Sequence, residues 1–154
     1  MDKIDFKQLF SALADFYEEN MPFNKFLGIK MEELALDKAV VSFHMKEDLV
    51  GNSHMKILHG GVIAAVLDFT GGVVAQLSVI EQMKEATPDE LMQRLVQMGT
   101  IDMRVDYIRP GRGEKFTATG EVLRLGNKVA VSRTVLHNDD NVLIAAATGT
   151  YLVG

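Results

Sequence analysis

The 154-residue chain contains no cysteine and no tryptophan. Without thiols there can be no disulfide, no thiolate metal site and no cysteine nucleophile, and the composition fits a reducing compartment. An excess of positive charge is also missing. Lys and Arg number 16 against 21 Asp and Glu, a formal charge of −5 with pI ≈ 5.3. That balance excludes a nucleic-acid binder working by overall charge. The opening residues, Met1-Asp2-Lys3-Ile4-Asp5, have neither the basic start nor the apolar run of a secretory signal, so a cytoplasmic location is expected.

What is present is a globular composition, 47% hydrophobic and 24% charged, at a length that suits one domain over residues 1–154. Residues 4–17 read as an amphipathic helix, because Phe6, Leu9, Phe10, Leu13, Phe16 and Tyr17 recur at helical spacing. Pro22 follows, and a short helical turn near Asn24–Leu27 should end at Gly28. Residues 29–46 read as two strands and 47–58 as a loop. Thr87-Pro88-Asp89-Glu90 carries the pattern of a capped helix start within a charged segment, 81–98. Beyond Thr100 the pattern is four strands separated by turns at Arg109-Pro110-Gly111, Leu125-Gly126-Asn127 and Asn138-Asp139-Asp140-Asn141. Strands without intervening helices should pair antiparallel, giving an α+β fold.

Residues 59–80 stand apart. Between Lys56 and Glu81 the one formally charged residue is Asp68, and no polar stripe separates the aliphatic positions, so the helix should be buried all round. A membrane span is the rival reading. A carboxylate near its centre would cost about 2.5–3.5 kcal/mol on insertion scales, which argues against a span. Leu58-His59-Gly60-Gly61 opens this helix. A helix start offers free N–H groups and partial positive charge, and glycine lets a substrate approach the backbone, so the turn suits a developing oxyanion. The same glycines could simply turn the chain. Asp68 is costly in an apolar helix unless it is paired or used, as a structural acid, a general base or a nucleophile. It lies eight residues after Gly60, about 12 Å along an ideal axis. One carbonyl cannot touch both groups of one straight helix, so joint action requires two subunits.

On these residues the sequence resembles a hotdog-fold thioesterase of the PaaI type, and among these the YigI-like acyl-CoA thioesterases. The resemblance covers roughly residues 22–154 and rests on Leu58-His59-Gly60-Gly61 through Asp68 and on Thr100 through Pro110. It implies an antiparallel sheet wrapped around the central helix, with the N-terminal helix and the 81–98 segment as additions; the latter could cap or lengthen an acyl pocket. It implies that Gly60 supplies the oxyanion N–H and that Asp68 of the other subunit acts as base or nucleophile. Thr100 would help hold the attacking water, and His59 would orient the thioester or the turn. A loop Asn lies upstream of the His in this family; Asn52 is the candidate and Ser53 its rival, because the loop here is one residue longer. The implied substrate is an acyl-CoA, the assembly a homodimer and further a dimer of dimers, and no metal or other cofactor is required.

Three further readings concern binding. Residues 101–135 hold 7 Lys and Arg against 4 Asp and Glu, and Arg109, Arg112 and Lys128 sit in turns that in this family line the coenzyme A groove. The alternative is an ordinary solvated surface. Gly61 is placed with the substrate-binding turn. Gly71 and Gly72 either open a groove beside Asp68 for a medium or long acyl tail, or permit close helix packing. His44, His54, His59 and His137 lack metal-ligand spacing, Gly111-Arg112-Gly113 lacks the rest of a dinucleotide fingerprint, and Gly51–Met55 is no nucleophile elbow. A hotdog hydratase or dehydratase, or a non-catalytic acyl-CoA sensor, are the competing functions; the first wants a His acting with an acid at another spacing, the second would not need Asp68.

Overall fold

The computed structural model describes residues 5–154. Asp5 caps the first helix, α1 (Phe6–Asp15), by accepting from the N–H groups of Lys7 and Gln8. The expected helix 4–17 does not run on as one piece; Ile4 lies outside the described residues, and at Phe16–Asn20 the coil widens into a π turn. Helix α2 (Pro22–Leu27) starts on its proline and ends on Gly28, whose φ of 76° is a left-handed cap.

Strands β1 (Lys30–Ala35) and β2 (Lys38–His44) follow. Residues 47–58, expected to be a loop, hold a 3-10 turn at Glu47–Leu49 and a small hairpin, β3 (Val50–Asn52) with β4 (Ile57–Leu58). These strands are too short to show any period in sequence. The central helix α3 (Gly60–Gln82) is followed by α4 (Pro88–Leu95), where Thr87 and Glu90 form the reciprocal capping box. Strands β5 (Gly99–Tyr107), β6 (Lys115–Leu125), β7 (Val129–Asn138) and β8 (Leu143–Leu152) complete the chain.

Among the described residues, six strands form one antiparallel sheet in the order β1-β2-β6-β7-β8-β5, and α3 packs across it. This is the hotdog arrangement. Val66, Leu67, Val74 and Leu77 of α3 are fully buried against the sheet, each worth about 1.5–3 kcal/mol of burial. By length and hydropathy α3 could cross a membrane, but 61% of its apolar window is buried inside the protein.

The helix is not buried all round. Gly61, Ala65, Asp68, Gly72 and Gln76 recur at intervals of three and four residues and remain exposed or half-buried. This stripe lies among small and polar residues, too narrow a signal to stand out from the aliphatic run around it. Strand β5 is the second open feature. It pairs with β8 on one side, has no partner on the other, and leaves Ile101 and Tyr107 more than half exposed.

Candidate active site

The site grows from the start and the middle of the open helix stripe. At the N-terminus of α3, the backbone N–H of His59 donates to Leu49 O at 2.8 Å and that of Leu58 to Gly111 O at 2.9 Å, tying the hairpin and the 109–113 turn to the helix start. His59 is the N-cap, and its Nδ1 accepts from the Gly61 N–H at 2.8 Å. With Nδ1 as acceptor, Nε2 is the ring nitrogen left to donate. Gly61 therefore has no spare amide. The Gly60 N–H has no acceptor among the described residues, which leaves it available to an incoming oxygen. The hydroxyl of Tyr107 donates to Gly60 O at 3.1 Å, and a Cβ on Gly60 would stand 3.3 Å from the Tyr107 ring.

Two turns further along, the Thr100 hydroxyl donates to Oδ1 of Asp68 at 2.9 Å. Oδ2 accepts no hydrogen bond among the described residues, and Asp68 lines a cavity. Thr100 reaches this position through a register shift. Thr100 pairs with Tyr151 but Asp102 pairs with Thr150, so Ile101 is the extra residue of a β-bulge. Strict period-2 alternation would put Thr100 and Tyr107 on opposite faces; the bulge instead throws Ile101 outward and sets Thr100 with Met103, Val105 and Tyr107 on the helix side.

Tyr151, which the sequence does not single out, fixes Asp68 from below by donating to its backbone carbonyl at 3.1 Å. Burial, and then the negative charge of Asp68, push the Tyr151 phenol above its ordinary range, so it stays a neutral donor. The ring lies on Gly71 and Gly149; a Cβ on Gly71 would fall 2.2 Å from Tyr151 Oη. The adjacent buried Ser132 donates to Gly71 O at 3.0 Å. Gly71 is thus a packing glycine, and the expected groove at Gly71 is filled by Tyr151. Gly72 differs: a Cβ there would meet the Tyr151 ring at an ordinary 3.6 Å or more, and the residue lines a cavity.

That cavity, of about 220 Å³, runs from Asp68 and Thr100 past Gly72 and Val73 to Tyr17 and Gln76. Its walls come from α3, from the π turn with Met21, from Met98 and the start of β5, and from Tyr151 of β8. Of the 81–98 segment only its last residue, Met98, lines this cavity; helix α4 does not.

The loop residues sit elsewhere. Asn52 accepts with its side-chain oxygen from the N–H groups of His54 (3.1 Å) and Met55 (3.0 Å), an Asx turn that consumes its acceptor. Ser53 lines a second cavity of about 650 Å³ with Lys46, Lys56, Arg112, Glu47 and Glu114. Arg112 donates to Met55 O at 3.2 Å, and Arg109 to Leu143 O at 3.2 Å. Lys128 does not join them. It lies past the far end of β6, whose 11 residues span roughly 35 Å. Alternating strands fold back on themselves, so turns close in sequence land at opposite ends of the sheet. Within one chain the three cations form no single patch. Among the described residues no cluster of three or more His, Asp or Glu side chains forms a metal site.

An antiparallel sheet around a helix that carries a free amide at its start and a hydroxyl-supported carboxylate further on defines a class, the hotdog thioesterases. The chain matches the Thioesterase superfamily over residues 55–145, and it belongs to that family. It is 48% identical over 148 residues, 96% of each chain, to the medium/long-chain acyl-CoA thioesterase YigI of Escherichia coli K12. A crystal structure from Shewanella oneidensis, related to the thioesterase superfamily, superposes with TM-score 0.94 at 44% identity over 99% of this chain and all of that one. A putative thioesterase from Syntrophus aciditrophicus gives TM-score 0.87 at 37% identity, covering 97% and 99%. The PaaI protein of E. coli, at 21% identity and TM-score 0.74, shares the fold.

Proposed function

We propose that the protein hydrolyses medium- to long-chain acyl-CoA to free acid and coenzyme A in the cytoplasm. The observation that carries this reading is Asp68, clamped by Thr100 on one oxygen and open on the other, at the mouth of an apolar cavity. The Gly60 N–H would polarise the thioester carbonyl. Asp68 would take a proton from water as the water oxygen bonds to the carbonyl carbon; the carbon–sulfur bond then breaks and the thiolate leaves with a proton. Direct attack by Asp68, followed by hydrolysis of the anhydride, is the variant of the same scheme. His59 would hold the turn through Gly61, and Thr100 would orient Asp68. The chemistry calls for no metal or added cofactor, since coenzyme A arrives as part of the substrate.

The uninterrupted helix from Gly60 to Gln82 keeps Gly60 and Asp68 about 12 Å apart along its axis. A site using both therefore belongs to two chains, and the open edge of β5 and the open stripe of α3 are the surfaces available for a homodimer, with a dimer of dimers built on it. Asn52 or Ser53 would then meet the partner's Asp68 rather than its own. The second cavity, where Arg112, Lys46 and Lys56 outnumber Glu47 and Glu114, would take the phosphates of coenzyme A.

The test is release of free thiol from acyl-CoA of two to eighteen carbons. Hydrolysis that rises from short chains to medium and long ones is the expected result; absence of thiol release at every length would sink the reading.

A further inference from the structure

The cavity beside Asp68 ends on a polar pair that hydrolysis itself does not need. The π turn buries Tyr17 to 5% exposure, and its hydroxyl donates to Oε1 of Gln76. The Tyr17 ring meets Phe69 edge-on, with centroids 5.4 Å apart and planes at 82°. π turns are rare and concentrate at functional sites. This one is fastened on several sides. The Glu18 carboxylate accepts from the Met31 N–H and from Lys30 Nζ, both at 2.7 Å, and Asn24 Nδ2 donates to Tyr17 O at 3.0 Å. Tyr17 is therefore a fixed wall rather than a loose flap.

Gln76 lies eight residues beyond Asp68 on the same helix stripe, about 12 Å along the axis. Carbon–carbon bonds of about 1.5 Å advance an extended chain by about 1.3 Å per carbon, so about nine carbons cover that distance. Resting on the acyl-CoA reading above, we infer that Tyr17 and Gln76 form the end wall of the acyl channel and set the chain length it accepts without bending. Chains up to about ten carbons lie straight between Asp68 and the wall. Longer ones must turn aside toward Met21 and the half-exposed Phe16, and gain less burial per added carbon. The pair is a specificity device separate from the reacting groups.

The experiment compares eight- and sixteen-carbon acyl-CoA in Tyr17→Ala and, independently, in Gln76→Ala. In each the ratio of kcat/KM for sixteen over eight carbons should rise about tenfold, the gain from burying about two further methylenes. Tyr17→Phe, which loses only the hydroxyl, should move the ratio far less. Dissociation constants for non-hydrolysable thioether analogues of both lengths should shift in parallel. An unchanged ratio in Gln76→Ala, the half-buried position that tolerates truncation, overturns the wall whether or not Tyr17→Ala folds. The two readings fail separately: no hydrolysis by the unmodified protein removes the thioesterase reading, whereas an unshifted ratio of dissociation constants removes the wall.

Discussion

Two cavities of this molecule are built in opposite ways. The one beside Asp68 is framed by a helix and a strand, and its polar atoms are tied by Thr100, Tyr151 and the Tyr17–Gln76 pair. The one beside Arg112 is framed by turns, larger and flanked by charges of both signs. Reacting atoms need placement within fractions of an ångström, which regular elements supply; a flexible, charged ligand end can be met by turns. On the proposed function, the first cavity would carry the chemistry and the second would capture the substrate.

The sharpest way to break this contrast is Asp68→Asn, which keeps size and hydrogen bonding but removes the base. Turnover should fall by about 10²–10⁴-fold with the thermal transition unchanged. Near-normal turnover would move the chemistry elsewhere. Mixing Asp68→Asn with His59→Ala should then restore up to roughly a quarter of normal activity, because half the pairs would be mixed and each would hold one intact site. No recovery despite proven subunit exchange would leave both groups working within one chain.

Neighbouring glycines sharpen the helix side of the contrast. Gly71→Ala drives a methyl into Tyr151 and should cost about 1–3 kcal/mol in urea unfolding. Gly72→Ala meets the Tyr151 ring only at ordinary contact distance and should gain up to about 1 kcal/mol from helix propensity. Equal effects would contradict the packing described for Tyr151. On the turn side, Lys56→Ala with Arg112→Ala should raise KM about three- to tenfold and flatten its salt dependence, leaving kcat nearly unchanged. A change confined to kcat would place these cations at the chemistry.

How far the sequence could be read follows the same divide. The helix start at His59-Gly60-Gly61, the isolated carboxylate of Asp68 and the Thr87–Glu90 cap are local, and each was legible from residue type and spacing. Thr100 was suggested only by family likeness, since its aim depends on a bulge against β8 that alternation cannot reveal. Tyr151 and Ser132 reach α3 from the last strands, and Tyr17 reaches Gln76 across 59 positions of chain. Nothing at those positions announces such partners until the sheet order is known. Gly71 and Gly72 look alike in sequence; Tyr151 alone tells them apart.

The unpaired edge of β5 has a consequence for how much catalyst a cell possesses. With the free amide and the carboxylate fixed on one straight helix, the working unit on the proposed scheme is a pair of chains. Below the concentration at which chains separate, activity would follow the square of chain concentration rather than the concentration itself. A threefold change in expression would then alter hydrolytic capacity about ninefold, making synthesis rate a steep control on acyl-CoA loss without any effector. Serial dilution of a purified sample, with specific activity measured at each step, would show whether that kinetic order is second or first.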